Sequence, residues 1–200
     1  MEDVQWWVPV LEGFSFLIAF FVIFLVGKFL KDWFTPYSVE AELTQKDNPA
    51  MAITLAGYYS GIAIIYVGAL LGPSTNLVND LLIVGGYSLL GIFLLNLARL
   101  INDKLILRKF SIKKELLEDR NPGTGVVILG SYISAALVIA GAIHGEGGGI
   151  ITALVFYAIG QVALVVFAYI YDWTTPYSLH EEIEKDNTAA GLGFSGGLIA

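Results

Sequence analysis

Two carboxamides, Asn96 and Gln161, stand inside long apolar stretches of this chain. Groups of that kind in a membrane either hydrogen-bond to a neighbouring helix or line a polar pathway for a solute. Three further asparagines, Asn48, Asn121 and Asn187, each stand immediately before an apolar run. An Asn there fits a helix N-cap, whose side-chain oxygen accepts an otherwise unpaired backbone N–H. The other reading is that three carboxamides converge on a site for an ion or a lipid headgroup. Little else in the sequence could do chemistry. The 2 histidines, His144 and His180, fall on opposite sides of the chain's expected topology and cannot share a metal. His144-Gly145-Glu146 reads as a solvated turn. Gly147-Gly148-Gly149 does not follow a strand and reads as a turn rather than a phosphate cradle. There are 0 cysteines, which removes disulfides, thiolate metal sites and thiol catalysis. No Gly-x-Ser-x-Gly or other nucleophile–base set occurs. No Asp or Glu stands in the centre of an apolar stretch, which counts against proton- or sodium-coupled transport. The expectation is a protein that is not an enzyme, with no catalytic, metal or cofactor residues.

The elements that must position these residues are membrane spans. Of 200 residues, 56% are hydrophobic and 14% charged, and the mean hydropathy is +0.71. Soluble domains carry about 25% charged residues. Spans of about 20 apolar residues are predicted over roughly 13–31, 50–72, 81–101, 123–143 and 149–171. A sixth apolar run begins at Thr188 and still continues at Ala200; its 13 residues are too short to cross, and the pattern is expected to continue in a longer protein. The N-terminal segment, 1–12, has acids but no Lys or Arg and does not read as a cleavable signal peptide. All 11 Lys and Arg fall in the segments leading to spans 2, 4 and 6. The positive-inside rule places those segments in the cytoplasm of a bacterial inner (plasma) membrane and the N-terminus outside. The net charge of −7 therefore says little about partners; the distribution of cations says more.

An internal repeat organises the spans. Asp32-Trp33-Phe34-Thr35-Pro36-Tyr37-Ser38 recurs as Asp172-Trp173-Thr174-Thr175-Pro176-Tyr177-Ser178. Each copy continues to Glu plus an aliphatic residue (Glu42-Leu43, Glu182-Ile183) and ends in Lys-Asp-Asn. A degenerate middle copy reads Phe110-Ser111-Ile112, Glu115-Leu116 and Asn121-Pro122. The expected fold is an all-α polytopic transmembrane bundle of three tandem helix–interfacial motif–helix units, at 13–72, 81–143 and 149–200, the last with an incomplete second span. Because each unit has two spans, the copies run parallel rather than inverted. Thr-Pro is predicted to cap a short interfacial helix of eight to ten residues, with Pro at its first position. Nine residues after each Asn stands a glycine (Gly57, Gly130, Gly196), and four further on another small residue (Gly61, Ser134, Ala200), a pattern that permits close helix approach within the chain or between copies. The segment 104–120 carries six cations and fits a basic amphipathic helix for anionic lipid or an acidic partner, with Lys113 and Lys114 central to it. Its acids argue against nucleic acid.

This layout resembles a bacterial inner-membrane family catalogued as "domain of unknown function 350", the YjfL-type proteins. The residues that carry the resemblance are Thr35-Pro36-Tyr37 with Asn48-Pro49-Ala50 and Thr175-Pro176-Tyr177 with Asn187-Thr188-Ala189. The middle copy departs, with Phe110 in place of Tyr and Gly123 in place of Ala. The family implies no activity; its frequent neighbours imply envelope maintenance at most. The expectation is a non-enzymatic structural or scaffold subunit, in a homo-oligomer or larger membrane assembly, binding partners through Tyr37, Tyr177, Lys113, Lys114 and the three asparagines. The alternative is a channel or transporter lined by Asn96 and Gln161.

Overall fold

A computed structural model describes residues 7–107, 111–144 and 149–200. Among these, the chain is all helix. The order is α1 (Trp7–Phe34), α2 (Val39–Thr44), α3 (Pro49–Leu70), α4 (Leu77–Leu105), α5 (Ile112–Leu117), α6 (Pro122–Ile143), α7 (Ile150–Thr174), α8 (Leu179–Glu184) and α9 (Thr188–Ile199). Thus a long helix, a six-residue helix and a second apolar helix follow one another three times. Five helices, α1, α3, α4, α6 and α7, are long and apolar enough to cross a membrane, while α9 has 12 residues. With no water to satisfy backbone groups in hydrocarbon, a helix is the form an apolar stretch of this length takes there.

Burial separates two rows. The second helices α3, α6 and α9 form the inner row, with α6 in the middle, and most side chains of α6 are buried. The first helices of each succession are outer. In α1 only Ile23 and Gly27 are buried, and large side chains such as Phe14, Phe21 and Phe29 are exposed, as a lipid-facing helix requires. Tyrosine hydroxyls tie the rows by donating to backbone carbonyls, Tyr58 to Gly27 (3.0 Å) and Tyr66 to Phe16 (2.6 Å), and Tyr157 to Leu94 (3.1 Å) joins two outer helices. Within the inner row small residues decide the spacing. A Cβ on Gly57 would lie 2.5 Å from the Leu129 Cα, and one on Gly130 would lie 2.5 Å from the Ser195 Cβ. The helices therefore approach to backbone contact there, where dispersion and interhelical bonds rather than the hydrophobic effect hold spans together.

Two expectations about the motif segments are corrected. The short helices have six residues and are capped by Ser38, Ser111 and Ser178, whose side chains accept from Ala41, Lys114 and Glu181 N–H. Thr35 and Thr175 are not the N-caps of these helices. The preceding spans run on to Phe34 and Thr174, so these hydroxyls donate back to the carbonyls of Lys31 and Tyr171, and Pro36 and Pro176 follow the helix end, where Pro cannot continue it. The segment 104–120 is not one amphipathic helix. It holds the end of α4, residues 108–110 outside the described set, and the six-residue α5; the Ser111 cap starts a new helix, which separates Lys104 from Lys113 and Lys114.

Candidate functional site

The asparagines and the glutamates before them make one structure three times. Asn48, Asn121 and Asn187 cap α3, α6 and α9, their side-chain oxygens accepting from Met51, Thr124 and Ala190 N–H. The amide nitrogen of each donates to the glutamate at the end of the same motif: Asn48 to Glu42 (3.0 Å), Asn121 to Glu115 (2.9 Å) and Asn187 to Glu182 (2.8 Å). The backbone N–H of each Asn donates to the carbonyl of that same glutamate. The residue between, Asp47, Arg120 or Asp186, has φ of 47, 53 and 63°. A left-handed residue turns the chain so sharply that the Asn amide folds back onto its own motif, at a cost of roughly 1 kcal/mol for a side chain that is not glycine.

The remaining amide hydrogen reaches the next succession. Asn48 Nδ2 donates to the Leu116 carbonyl and Asn121 Nδ2 to the Ile183 carbonyl, both at 2.7 Å. Leu116 and Ile183 hold the same place in their motifs, directly after the glutamate. Asn48 and Asn121 are thus clasps that each cap one span, close their own turn and hold the neighbouring short helix. Asn187 makes the first two bonds, and no bond to a further short helix is present among the described residues.

The three carboxylates differ in charge environment. Burial raises the pKa of Glu42, but the Lys46 ammonium at 2.6 Å and the Asn48 amide outweigh it and hold the group below the ordinary carboxylate value. For Glu182, the Asn187 amide and then Lys185 act in the same direction. Glu115 is the exception. Burial pushes its carboxyl up, the Asn121 amide offsets this only in part, and Asp119 adds repulsion at the position Lys46 holds beside Glu42. Lys114 is turned to Asp119 instead, at 2.8 Å.

The other predicted residues are not gathered around one centre. Tyr37 packs with Val39, Met51 and Leu55, and burial pushes its phenol above the ordinary value. Tyr177 places its hydroxyl 3.4 Å from that of Tyr171. Lys113 and Lys114 are exposed. Asn96 donates to the Ile92 carbonyl (2.8 Å) and to the Tyr58 hydroxyl (3.4 Å), whereas Gln161 on α7 is buried with neither amide atom in a hydrogen bond, so the two share no partner. His180 is buried with Nε2 2.9 Å from the Ile106 carbonyl and Nδ1 3.6 Å from Asp172. His144 ends α6, and its neighbours Gly145 and Glu146 lie outside the described residues, as does Phe110. Among the described residues no group of three His, Asp or Glu is placed to hold a metal.

Sequence reasoning missed a basic and aromatic cluster at the motif end of the spans. Lys31 Nζ donates to the Tyr132 hydroxyl (2.7 Å) and lies 5.1 and 5.2 Å from the ring centroids of Tyr58 and Tyr132. The Arg99 guanidinium lies 5.8 Å from the Tyr132 centroid, and its Nε donates to Asp103 at 2.7 Å. The only sequence signal was the Arg99/Asp103 spacing of one helical turn; it was legible merely as part of the cation asymmetry.

Packing, composition and span lengths together define an all-α, multi-pass membrane bundle. The chain matches the family described as Domain of Unknown Function (DUF350) over residues 5–143 and 147–200, and it belongs to that family. It is 28% identical over 183 residues to a UPF0719 transmembrane protein of Aquifex aeolicus (strain VF5), an alignment covering 89% of this chain and 65% of that one. The chain thus spans about two thirds of the length of the curated relative it matches. No solved structure matches.

Proposed function

We propose that the chain is a non-enzymatic structural subunit of a membrane assembly, built of three tandem units at 13–72, 81–143 and 149–200 and extended edge to edge by further copies of itself. The single observation that carries this reading is the repeated link, with complementary faces of α3 and α9 that meet no equivalent unit among the described residues. Unit 1 joins unit 2, and unit 2 joins unit 3, through the same carboxamide-to-carbonyl bond and the same small-residue contacts. A Cβ on Gly125 meets the Ala50 backbone, and one on Gly191 meets that of Gly123 at equivalent places. Among the described residues the third copy of each feature meets no counterpart. A Cβ on Gly196 meets nothing within 4 Å, Ala189 and Gly196 are exposed on α9, and Ala52 and Ala56 are exposed on α3 at the places that Gly125 and Leu129 hold on α6. A head-to-tail contact joins such complementary faces. On this reading the Asn187 amide of one copy donates to the Leu43 carbonyl of the next. The motif face, where Tyr177 and Lys113 are accessible, lies in the cytoplasm and is where a soluble partner docks.

Cross-linking tests this in a chain with no cysteine of its own. Arg120 donates to the Lys46 carbonyl between units 1 and 2; the equivalent pair between copies is Asp47 and Lys185. Asp47→Cys and Lys185→Cys, co-expressed as single variants and oxidised in membranes, are expected to give a linked dimer. Lys46→Cys with Arg120→Cys in one chain is the positive control. A control that links while the test pair stays monomeric overturns the reading.

A further inference from the structure

We infer that the groove between the ends of α1 and α4 is a binding site for an anionic phospholipid of the leaflet on the motif side. The groove has a volume of about 490 Å³ and a mostly apolar lining. Phe93 and Leu97 form its apolar wall on the membrane side of the cations, and Phe34 and Leu100 flank the cations; Phe34, Phe93 and Leu100 are more than half exposed. Lys31 and Arg99 line it toward the motif end. Phe93 and Arg99 are six residues apart on one helix, about 9 Å along the axis. That separation matches an acyl chain beginning below a headgroup.

The charges ask for an anion. Lys31 and Arg99 are brought together with one acid in contact, Asp103 on Arg99. Asp32 follows Lys31 in the chain but is exposed and makes no ion pair with it among the described residues. Lys31 has a neutral phenol as its hydrogen-bond acceptor, and Arg99 Nη1 is buried with no partner. Asp103 and Asp32 act on Lys31 only at longer range; a buried guanidinium donor without a partner is unfavourable, and a phosphate satisfies that donor while giving Lys31 a contacting anion. The occupant must also cover the exposed apolar wall, which a free anion does not. A phospholipid has both parts and is the surrounding solvent. The site differs from the basic surface of Lys113 and Lys114, which are exposed and do not line this groove, and it stands whether or not copies assemble.

The test is native mass spectrometry of the detergent-purified chain titrated separately with dioleoylphosphatidylglycerol, dioleoylphosphatidylcholine and inorganic phosphate. Preferential retention of phosphatidylglycerol is expected, with no adduct from phosphate. Arg99→Gln and Lys31→Met are each expected to lower it roughly five- to tenfold. Leu97→Trp keeps both cations and fills the groove, and it is expected to lower retention as well. Circular dichroism and elution volume show that each variant is folded. Lys113→Gln with Lys114→Gln is expected to change nothing. Equal retention of the two lipids, an adduct with phosphate alone, loss only in the Lys113/Lys114 variant, or retention unchanged in folded Leu97→Trp overturns the assignment.

Discussion

At the scale of the residue, one carboxamide does several jobs, and the neighbours of its glutamate decide how each clasp responds to pH. Asn121→Ala removes a cap, worth about 1 kcal/mol, and leaves the buried Glu115 carboxylate without its Asn donor, which adds about 1–3 kcal/mol. A loss of about 2–4 kcal/mol in reversible unfolding in mixed micelles is expected. Glu115 and Glu42 should separate on titration. Glu115 binds its proton more tightly folded than unfolded, so stability falls as pH rises from the ordinary value of 4.5 to the raised one. For Glu42 the folded value is the lower, so its contribution is complete above 4.5 and is lost as pH falls through the lowered value. At pH 7, Glu115→Gln is therefore expected to leave stability unchanged or raised. Glu42→Gln should lower it by about 1 kcal/mol, a figure reduced because Lys46 is half exposed. Unfolding curves of both variants at pH 4 and pH 7 check the opposite slopes.

At the scale of the element, the inner row is set by where a side chain would meet backbone. Gly57→Ala places a methyl group against the Leu129 Cα and forces α3 from α6, with an expected cost of about 1–3 kcal/mol in thermal unfolding. Gly196→Ala meets nothing in the same chain and should shift unfolding by under about 0.5 kcal/mol. If copies add to α9 as proposed, Gly196→Ala should still reduce the cross-linked dimer. The repeated motif and its asparagines were legible because the residue types recur in order. The role of Thr35 and Thr175 was not. A Thr-Pro pair fits a helix start as well as a helix end, and only the length of α1 and α7 beyond the hydrocarbon decides between them. The glutamates were visible as part of the pattern, but their clasping of the Asn amides depends on the left-handed turn at Asp47, Arg120 and Asp186, a conformation that neither Asp nor Arg announces.

At the scale of the whole molecule, the proposed sidedness makes one prediction that needs no function. Ser74 lies in the α3–α4 connection, and Lys113 lies on α5 at the opposite ends of those spans. Single cysteines at these places, labelled with a membrane-impermeant maleimide on intact cells, should react at residue 74 and be protected at residue 113 until the membrane is opened. The reverse labelling overturns the orientation with the N-terminus outside. The same experiment leaves the multi-pass character untouched, because that rests on five helices of spanning length.

The sequence alone determined that this chain is a helical membrane protein, where its spans lie, and that one motif recurs along it. Those are properties of composition and spacing, and an apolar stretch of some 20 residues has a single stable form in lipid. Tertiary structure decided which residues meet. It placed Lys31 and Arg99 against one tyrosine, kept Asn96 and Gln161 from any common partner, and joined each motif to the next through a carboxamide. The bonds from Lys31, Asn48 and Asn121 link positions 62 to 101 residues apart. In a bilayer every helix face is equally free of water, so hydrophobicity does not choose neighbours, and the contacts of small and polar side chains do.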